Sequence, residues 1–119
     1  MTDEKKTYPA APDEQGYYFE NQDDETAGIL TKDYDNGSAI KKVALSNGKE
    51  AIIRKLKGRD FVETKRRIEA DRTLDFETVN MSIATRIDGK TEPPEYYLDD
   101  LYQEDYSTLM VAYGRLNFQ

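Results

Sequence analysis

The chain has no cysteine and no histidine among its 119 residues. These absences exclude disulfide bonds, cysteine or histidine nucleophile systems, histidine general bases and zinc sites built from nitrogen and sulfur ligands. A site for Mg²⁺ or Ca²⁺ made only of carboxylates stays open. Because few of the side chains that most often carry catalysis are present, these absences favour a protein that is not an enzyme, and no cofactor is expected.

Long apolar runs are missing as well. No stretch of the sequence approaches the roughly 20 apolar residues that a membrane-spanning helix needs. The first residues, Met1 to Lys6, lead into no apolar region of the kind that a signal peptide contains. We therefore expect a soluble protein without a signal peptide and without a membrane partner.

The net charge of −7 is distributed in three blocks. Residues 1–38 sum to −7, residues 39–72 to +6 and residues 73–119 to −6. Phosphate repels an acidic chain, so the overall charge disfavours nucleic acid as the main partner. The basic middle block instead predicts a docking face for an acidic protein partner.

Two parts of the chain differ in composition. Residues 1–28 are rich in Asp, Glu and Gln and poor in aliphatic side chains, so little apolar burial can offset the entropy of ordering them. We predict a disordered acidic arm over 1–28 and a single small α+β domain over 29–119. Three adjacent aromatics, Tyr17-Tyr18-Phe19, interrupt the arm, and they either dock onto a surface or form a solvated local cluster.

Two Asn-Gly pairs mark turns between short apolar segments. Asn36-Gly37 and Asn47-Gly48 both supply residues that tolerate a positive φ, as tight hairpin turns require. The pattern predicts an antiparallel β-hairpin or a three-stranded meander over residues 29–57. With a two-residue loop at the second pair, Val43 would lie opposite Ile52.

About three helices are predicted after the strands. A thin apolar stripe with Asp60 in the first turn predicts a helix over 59–72. Apolar residues at a spacing of three or four predict a helix over 75–88 with Asp75 as its N-cap. The predicted buried face of that helix is Phe76, Val79, Ile83 and Ile87. A last helix is predicted over 103–115, preceded by one helical turn within 95–101.

Two charged clusters are candidates for a site. One consists of the carboxylates of Asp99, Asp100, Glu104 and Asp105. They would suit a hard cation or acid–base chemistry. They lack the ligand spacing of an EF-hand, and capping of the last helix is the favoured interpretation. The other cluster runs from Lys55 to Arg72 and includes Arg66 and Arg67. Aromatics are not interleaved with these bases, so a platform for single-stranded nucleic acid is not indicated.

Tyrosines concentrate between the last two predicted helices, at Tyr96, Tyr97 and Tyr102, with Phe118 at the tail. Tyrosine is enriched at protein interfaces because its ring is apolar and its hydroxyl is polar. These tyrosines either contribute to a partner-binding face, for which Arg66 and Arg67 are further candidates, or close a small hydrophobic core.

Two stretches of the chain resemble a known family. They are Val43–Glu50 followed by Arg54–Phe61, and Leu98–Leu109 near the end. Both are similar to tail assembly chaperones of long-tailed bacteriophages, in particular those of Mu-like and P2-like phages. In that family two strands and a tight turn lead into a Lys/Arg-Gly-Asp-like bend, and an Asp-Tyr-containing helix ends the fold. The resemblance covers residues 40–115, and the long N-terminal arm departs from it.

The resemblance implies a protein that catalyses no reaction. Chaperones of this family bind the tape measure protein, a long helical ruler, and help to recruit tail tube subunits around it in the cytoplasm of the bacterial host. The oligomeric state is left open, a homo-oligomer included. The alternative is a small structural or adaptor component of a virion tail or of a contractile injection machine, which would stay in finished particles.

Overall fold

The structure of the protein is a computed structural model that describes residues 6–118. Its centre is an antiparallel sheet of four strands, β1 (Ile29–Asp33), β2 (Ala39–Ala44), β3 (Glu50–Arg54) and β4 (Thr85–Ile87), which neighbour one another in that order. The helices are α1 (Gln22–Ala27), α2 (Gly58–Ala70), α3 (Phe76–Ala84) and α4 (Gln103–Phe118), with a wide helical turn at Tyr96–Asp100. The predicted α+β class is confirmed, and a fourth strand extends the predicted meander. Within the described part, none of the helices combines the length and the apolar character needed to cross a membrane.

The loop between β2 and β3 sets the register of the sheet. Val43 lies opposite Ala51, and not opposite Ile52 as predicted. The Leu45 N–H donates to the Lys49 carbonyl at 2.8 Å, which leaves three residues in the loop where the prediction had two. Since the loop length fixes the pairing of a hairpin, one extra residue accounts for the shift.

One face of the sheet carries the hydrophobic core. The strands contribute buried side chains to this face in alternation. Helix α4 packs on the same face, across β2 and β3. The main apolar members of this core are Ile29, Val43, Ile53, Met81, Ile87, Tyr97, Leu109, Tyr113 and Leu116. The core therefore joins the sheet to the last helix, and it fixes the position of both ends of α4.

The helix predicted over 75–88 is shorter than predicted. Its N-cap is confirmed, since the Asp75 carboxylate accepts the Thr78 N–H at 2.9 Å. The prediction of helix up to residue 88 is wrong, because α3 ends at Ala84 and Thr85–Ile87 pairs with β3. Pairing with β3 satisfies backbone groups that would otherwise stay free along a sheet edge. These hydrogen bonds stabilise the fold more than one further turn of α3 would.

The buried face of α3 also differs from the predicted one. Val79 is fully buried on the helix, whereas Ile87 is buried on β4. Phe76 and Ile83 are only half-buried, and Met81 is fully buried although the predicted face omits it. The helix is short and lies between the sheet, α2 and α4, so it is covered on more than one side.

The N-terminal segment lies against the sheet in the described residues. Tyr18 bridges Thr31 through two backbone hydrogen bonds of 2.9 and 2.8 Å. Asn21 caps α1, and Asp24 on that helix is completely buried. This placement differs from the disordered arm predicted over 1–28, of which residues 1–5 lie outside the described part. Mobility of the segment in solution stays a prediction, and hydrogen exchange of the isolated protein tests it.

Asp60 fixes the bend between β3 and α2. Its carboxylate accepts two hydrogen bonds from the Arg54 guanidinium, at 2.9 and 3.0 Å, and one from the Lys57 backbone N–H at 2.8 Å. The hydrogen bonds from Arg54 are the main cause that lowers the pKa of Asp60 below its ordinary value of 3.8. Such a carboxylate stabilises the fold above its unfolded-state pKa, and the contribution is lost as the pH falls through the folded-state pKa.

We expect Asp60→Asn to lower the free energy of unfolding at neutral pH by about 1–2 kcal/mol, the usual cost of a lost helix cap. The difference between this variant and the unchanged protein should shrink as the pH falls below 3.8. Urea unfolding at neutral pH and below that value measures the difference. Arg54→Ala removes the same ion pair and should show the same trend, and a cost independent of pH would contradict this account.

Candidate functional site

Three of the chain's four phenylalanines line one surface cleft with a volume of about 300 Å³. We call it the phenylalanine cleft. Its lining residues are Leu56, Lys57, Gly58, Phe61, Phe76, Asn80, Asn117 and Phe118. Most of this lining is apolar, and none of it is an acidic side chain. The cleft is therefore suited to an apolar side chain of a binding partner.

Each phenylalanine of the cleft comes from the end of a different helix. Phe61 lies in the first turns of α2, Phe76 begins α3 and Phe118 ends α4. The rings of Phe61 and Phe76 meet edge to face with 5.5 Å between their centroids. The Asn117 side chain accepts the Leu56 N–H at 2.7 Å, which holds the end of α4 beside the start of α2. Three helix ends thus converge on one concave surface.

Large apolar side chains in and beside the cleft are in contact with solvent. In the cleft, Phe61 is 50% exposed and Phe118 65%; Val62, which follows Phe61 on α2 but does not line the cleft, is 64% exposed. The inner edge of Phe118 packs against the buried Tyr113 ring, with 5.6 Å between the ring centroids. Clustered exposed aromatics of this kind mark surfaces that bind other proteins, because a core would have buried them.

Basic side chains border the phenylalanine cleft. Lys57 lines the cleft itself, and the Lys65 Nζ lies 5.7 Å from the centre of the Phe61 ring. Arg66 lies one helical turn after Val62 and so shares its side of α2. An apolar floor beside a positively charged border complements a partner segment that carries apolar residues flanked by acids.

The arginines predicted to bind a partner both lie on α2 and both pair with Glu63. The Arg67 Nε donates to Glu63 Oε1 at 3.0 Å, and Arg66 pairs with the other carboxylate oxygen. Together, Arg67 and Arg66 lower the pKa of Glu63. The Arg66 side chain is still 75% exposed. A role of these arginines in binding stays a prediction.

The three candidate tyrosines do not share one environment. Tyr96 and Tyr97 are buried and meet edge to face with 5.4 Å between their rings, whereas Tyr102 is 72% exposed. Tyr96 and Tyr97 therefore contribute to the hydrophobic core, which is one of the two roles that the sequence left open. Tyr102 precedes α4 and Phe118 ends it. The 16 residues of that helix separate them by about 24 Å at 1.5 Å per residue.

The acidic cluster lies at the start of α4. Asp105 accepts hydrogen bonds from the Ser46 N–H at 3.2 Å and from its hydroxyl at 2.5 Å, so it ties the helix to the β2–β3 loop. Glu104 also lies in the first turn, where a carboxylate is favoured by the helix dipole. Asp99 and Asp100 are exposed. Within residues 6–118, no group of three acidic side chains is placed so that it could hold a metal ion.

The sequence pattern does not reveal the phenylalanine cleft. It assigns Phe61 and Phe76 to the buried faces of two helices and leaves Phe118 at the tail. All three lie within a turn of a helix end. That shared position is the one signal in the sequence that could have indicated a common surface.

Comparison of the chain with protein-family models, with curated proteins and with solved structures finds no match. The resemblance of residues 40–115 to tail assembly chaperones therefore stays a prediction.

Proposed function

We propose that the protein is a non-enzymatic tail assembly chaperone of a long-tailed bacteriophage, which binds the tape measure protein through the phenylalanine cleft. The observation that carries the proposal is the cleft itself, with two aromatic rings at least half exposed on a rigid support. The resemblance of residues 40–115 supplies the identity of the partner. In this role the protein acts in the cytoplasm of the bacterial host, helps to bring tail tube subunits to the ruler, and uses neither nucleic acid nor a cofactor.

A helical partner suits the cleft for a physical reason. An amphipathic helix binds by placing apolar residues from successive turns into a groove on its partner. The 300 Å³ cleft accepts one such anchor. Val62, the exposed neighbour of Phe61 on α2, offers a second apolar side chain outside the cleft, and Arg66 lies one helical turn after it. The tape measure protein is expected to be long and helical, so it can offer this pattern repeatedly.

The basic border has a separate effect on binding. Exposed charges at the rim of an interface mainly change the association rate and its salt dependence, whereas buried apolar anchors hold the complex together. Reversal of Arg66 and Arg67 to Glu should therefore slow association and weaken its salt dependence, with little change in dissociation. Surface plasmon resonance at low and moderate salt separates the two rates.

We expect Phe118→Ala to speed dissociation of the complex with the tape measure protein by about tenfold or more, the effect of losing an interface anchor. The test is co-expression with the candidate tape measure protein, purification at moderate salt, and kinetic measurement on the purified partners. Tyr34→Ala is the matched control, because Tyr34 is 43% exposed and does not line the cleft.

Comparison of Phe118→Ala with one further variant, Tyr102→Ala, locates the binding face. If Tyr102→Ala disrupts the complex and Phe118→Ala does not, the partner docks at the start of α4 and the phenylalanine cleft is not the site. If the two proteins never co-purify and this protein instead occurs in finished particles, the role of a structural or adaptor component replaces that of a chaperone.

A further inference from the structure

Lys41 projects from β2 into the interior of the protein. Its side chain is 3% exposed, and a lysine is almost never buried to that extent unless its charge is paired. The Nζ donates to Thr31 Oγ1 at 2.8 Å. It lies 3.6 Å from Glu20 Oε2 and 3.9 Å from Asp24 Oδ2. The ammonium group is therefore compensated by two carboxylates of the N-terminal segment.

Asp24 joins this lysine to the last helix. Its carboxylate is completely buried and forms a second ion pair with Arg115 of α4. In residues 6–118, the carboxylates that pair with Lys41 and Arg115 are Glu20 and Asp24, and neither comes from the domain over 29–119. If the N-terminal segment moved away, two cations would be left side by side in a partly enclosed site.

The same segment covers the free edge of the sheet. β1 pairs with β2 on one side only, and Tyr18 occupies its other side through two backbone hydrogen bonds to Thr31. The Tyr18 hydroxyl adds a bond of 2.5 Å to the Asp33 carboxylate at the end of β1. We define residues 17–27 as the N-terminal strap. It makes one strand-like contact at Tyr18 and, through Glu20 and Asp24, three ion pairs with Lys41 and Arg115.

The N-terminal strap is held mainly by polar contacts, and none of its apolar side chains is fully buried. Asp24 is the one buried residue of α1, and the helix has only six residues, too few to be stable without tertiary contacts. Segments with few buried apolar contacts open locally far more often than the core unfolds. A cleft of about 590 Å³, lined in part by Lys41, Lys55 and Arg115, already lies open beside the strap.

We infer that the N-terminal strap is an internal ligand of a peptide-binding site formed by the free edge of β1 and the Lys41–Arg115 pair. When the strap detaches, this site takes an acidic segment of a partner protein that pairs with β1 through one residue and then, like the strap, turns into a short helix. The strap shows which features a ligand of this site needs. One residue pairs with the strand, as Tyr18 does, and carboxylates follow two and six positions later, as Glu20 and Asp24 do. Strand addition at a sheet edge supplies affinity, and the cation pair selects for acids. The inference does not depend on the phenylalanine cleft.

Exchange of the Thr31 amide proton reports directly on the strap, because this N–H donates to the Tyr18 carbonyl at 2.8 Å. In the full chain, we expect Asp24→Asn to raise its exchange rate by about tenfold or more, while the amides between β2 and β3 keep their rates. Asp23→Asn is the matched control, since Asp23 is the exposed neighbour on the same helix and should leave the rate within about twofold. Equal effects of the two variants, or none, would overturn the inference.

Binding in trans is tested with a fluorescein-labelled peptide of residues 15–27. The peptide should bind the full-length Asp24→Asn protein about tenfold more tightly than the unchanged protein. The same peptide carrying its own Asp24→Asn change should not bind. If Asp24→Asn fails to fold by circular dichroism, Glu20→Gln replaces it, because Glu20 is 41% exposed and its loss weakens the strap with less disturbance. Equal affinity of the peptide for the strap variant and for the unchanged protein would refute the proposal. Formation of a strap-exchanged dimer would also refute it, in favour of a second copy as the occupant.

Discussion

Replacing Tyr97 with alanine is expected to lower the free energy of unfolding by about 3–5 kcal/mol, as truncation of a buried aromatic does. Tyr97 is 1% exposed and belongs to the core that joins the sheet to α4. Its hydroxyl has no hydrogen-bond partner within the described residues, and burial strongly raises its pKa. Since an unpaired buried hydroxyl is unfavourable, Tyr97→Phe should leave stability unchanged or raise it by about 1 kcal/mol. Urea denaturation followed by circular dichroism gives both values.

The exposed Tyr102 provides the control for this experiment. Tyr102→Ala should change the free energy of unfolding by less than about 0.5 kcal/mol, as surface substitutions usually do. A similar cost for Tyr97→Phe and Tyr97→Ala would mean that the hydroxyl has a partner. A negligible cost for Tyr97→Ala would mean that this side chain is not part of the core.

Leu109→Ala should cost about 2–5 kcal/mol, the range for a leucine removed from a packed interior. Leu109 is fully buried on the side of α4 that faces β2 and β3. The truncation leaves a cavity that a helix packed on a sheet cannot easily collapse to fill. Thermal and urea unfolding of the purified variant measure the loss.

Val111→Ala tests the same helix from its other side. Val111 is 45% exposed, so its truncation should cost less than about 1 kcal/mol, and the gain in helix propensity offsets part of that cost. If the two substitutions cost equal amounts, α4 is rotated about its axis relative to the structure described above.

Local patterns in the sequence predicted much of the fold. The Asn-Gly pairs indicated the first three strands, and Asp75 correctly marked the start of α3. β4 could not be predicted in the same way, because Thr85–Ile87 continues the apolar spacing of a helix. Its strand conformation depends on pairing with β3, which lies 32 or more residues earlier in the chain. Single-sequence periodicity carries no information about such a partner.

The candidate site and the buried ion pairs were hidden for a related reason. Phe61, Phe76 and Phe118 are far apart in the sequence, and they meet because three helix ends converge. Asp24 lies in an acidic stretch that composition alone assigns to solvent. Its burial depends on Lys41 and Arg115, and neither cation is close to it in the sequence. Charge complementarity between distant residues outweighs composition at this position.

The late position of β4 in the chain also gives the sheet an order of assembly. Short turns connect the first three strands, whereas α2 and α3 lie between β3 and β4. Contacts between nearby residues form quickly, and contacts across a long intervening chain form more slowly. The β3–β4 pairing should then close after the meander and after the two helices have packed. A substitution confined to β4 would accordingly act on the lifetime of the native state more than on the speed of folding.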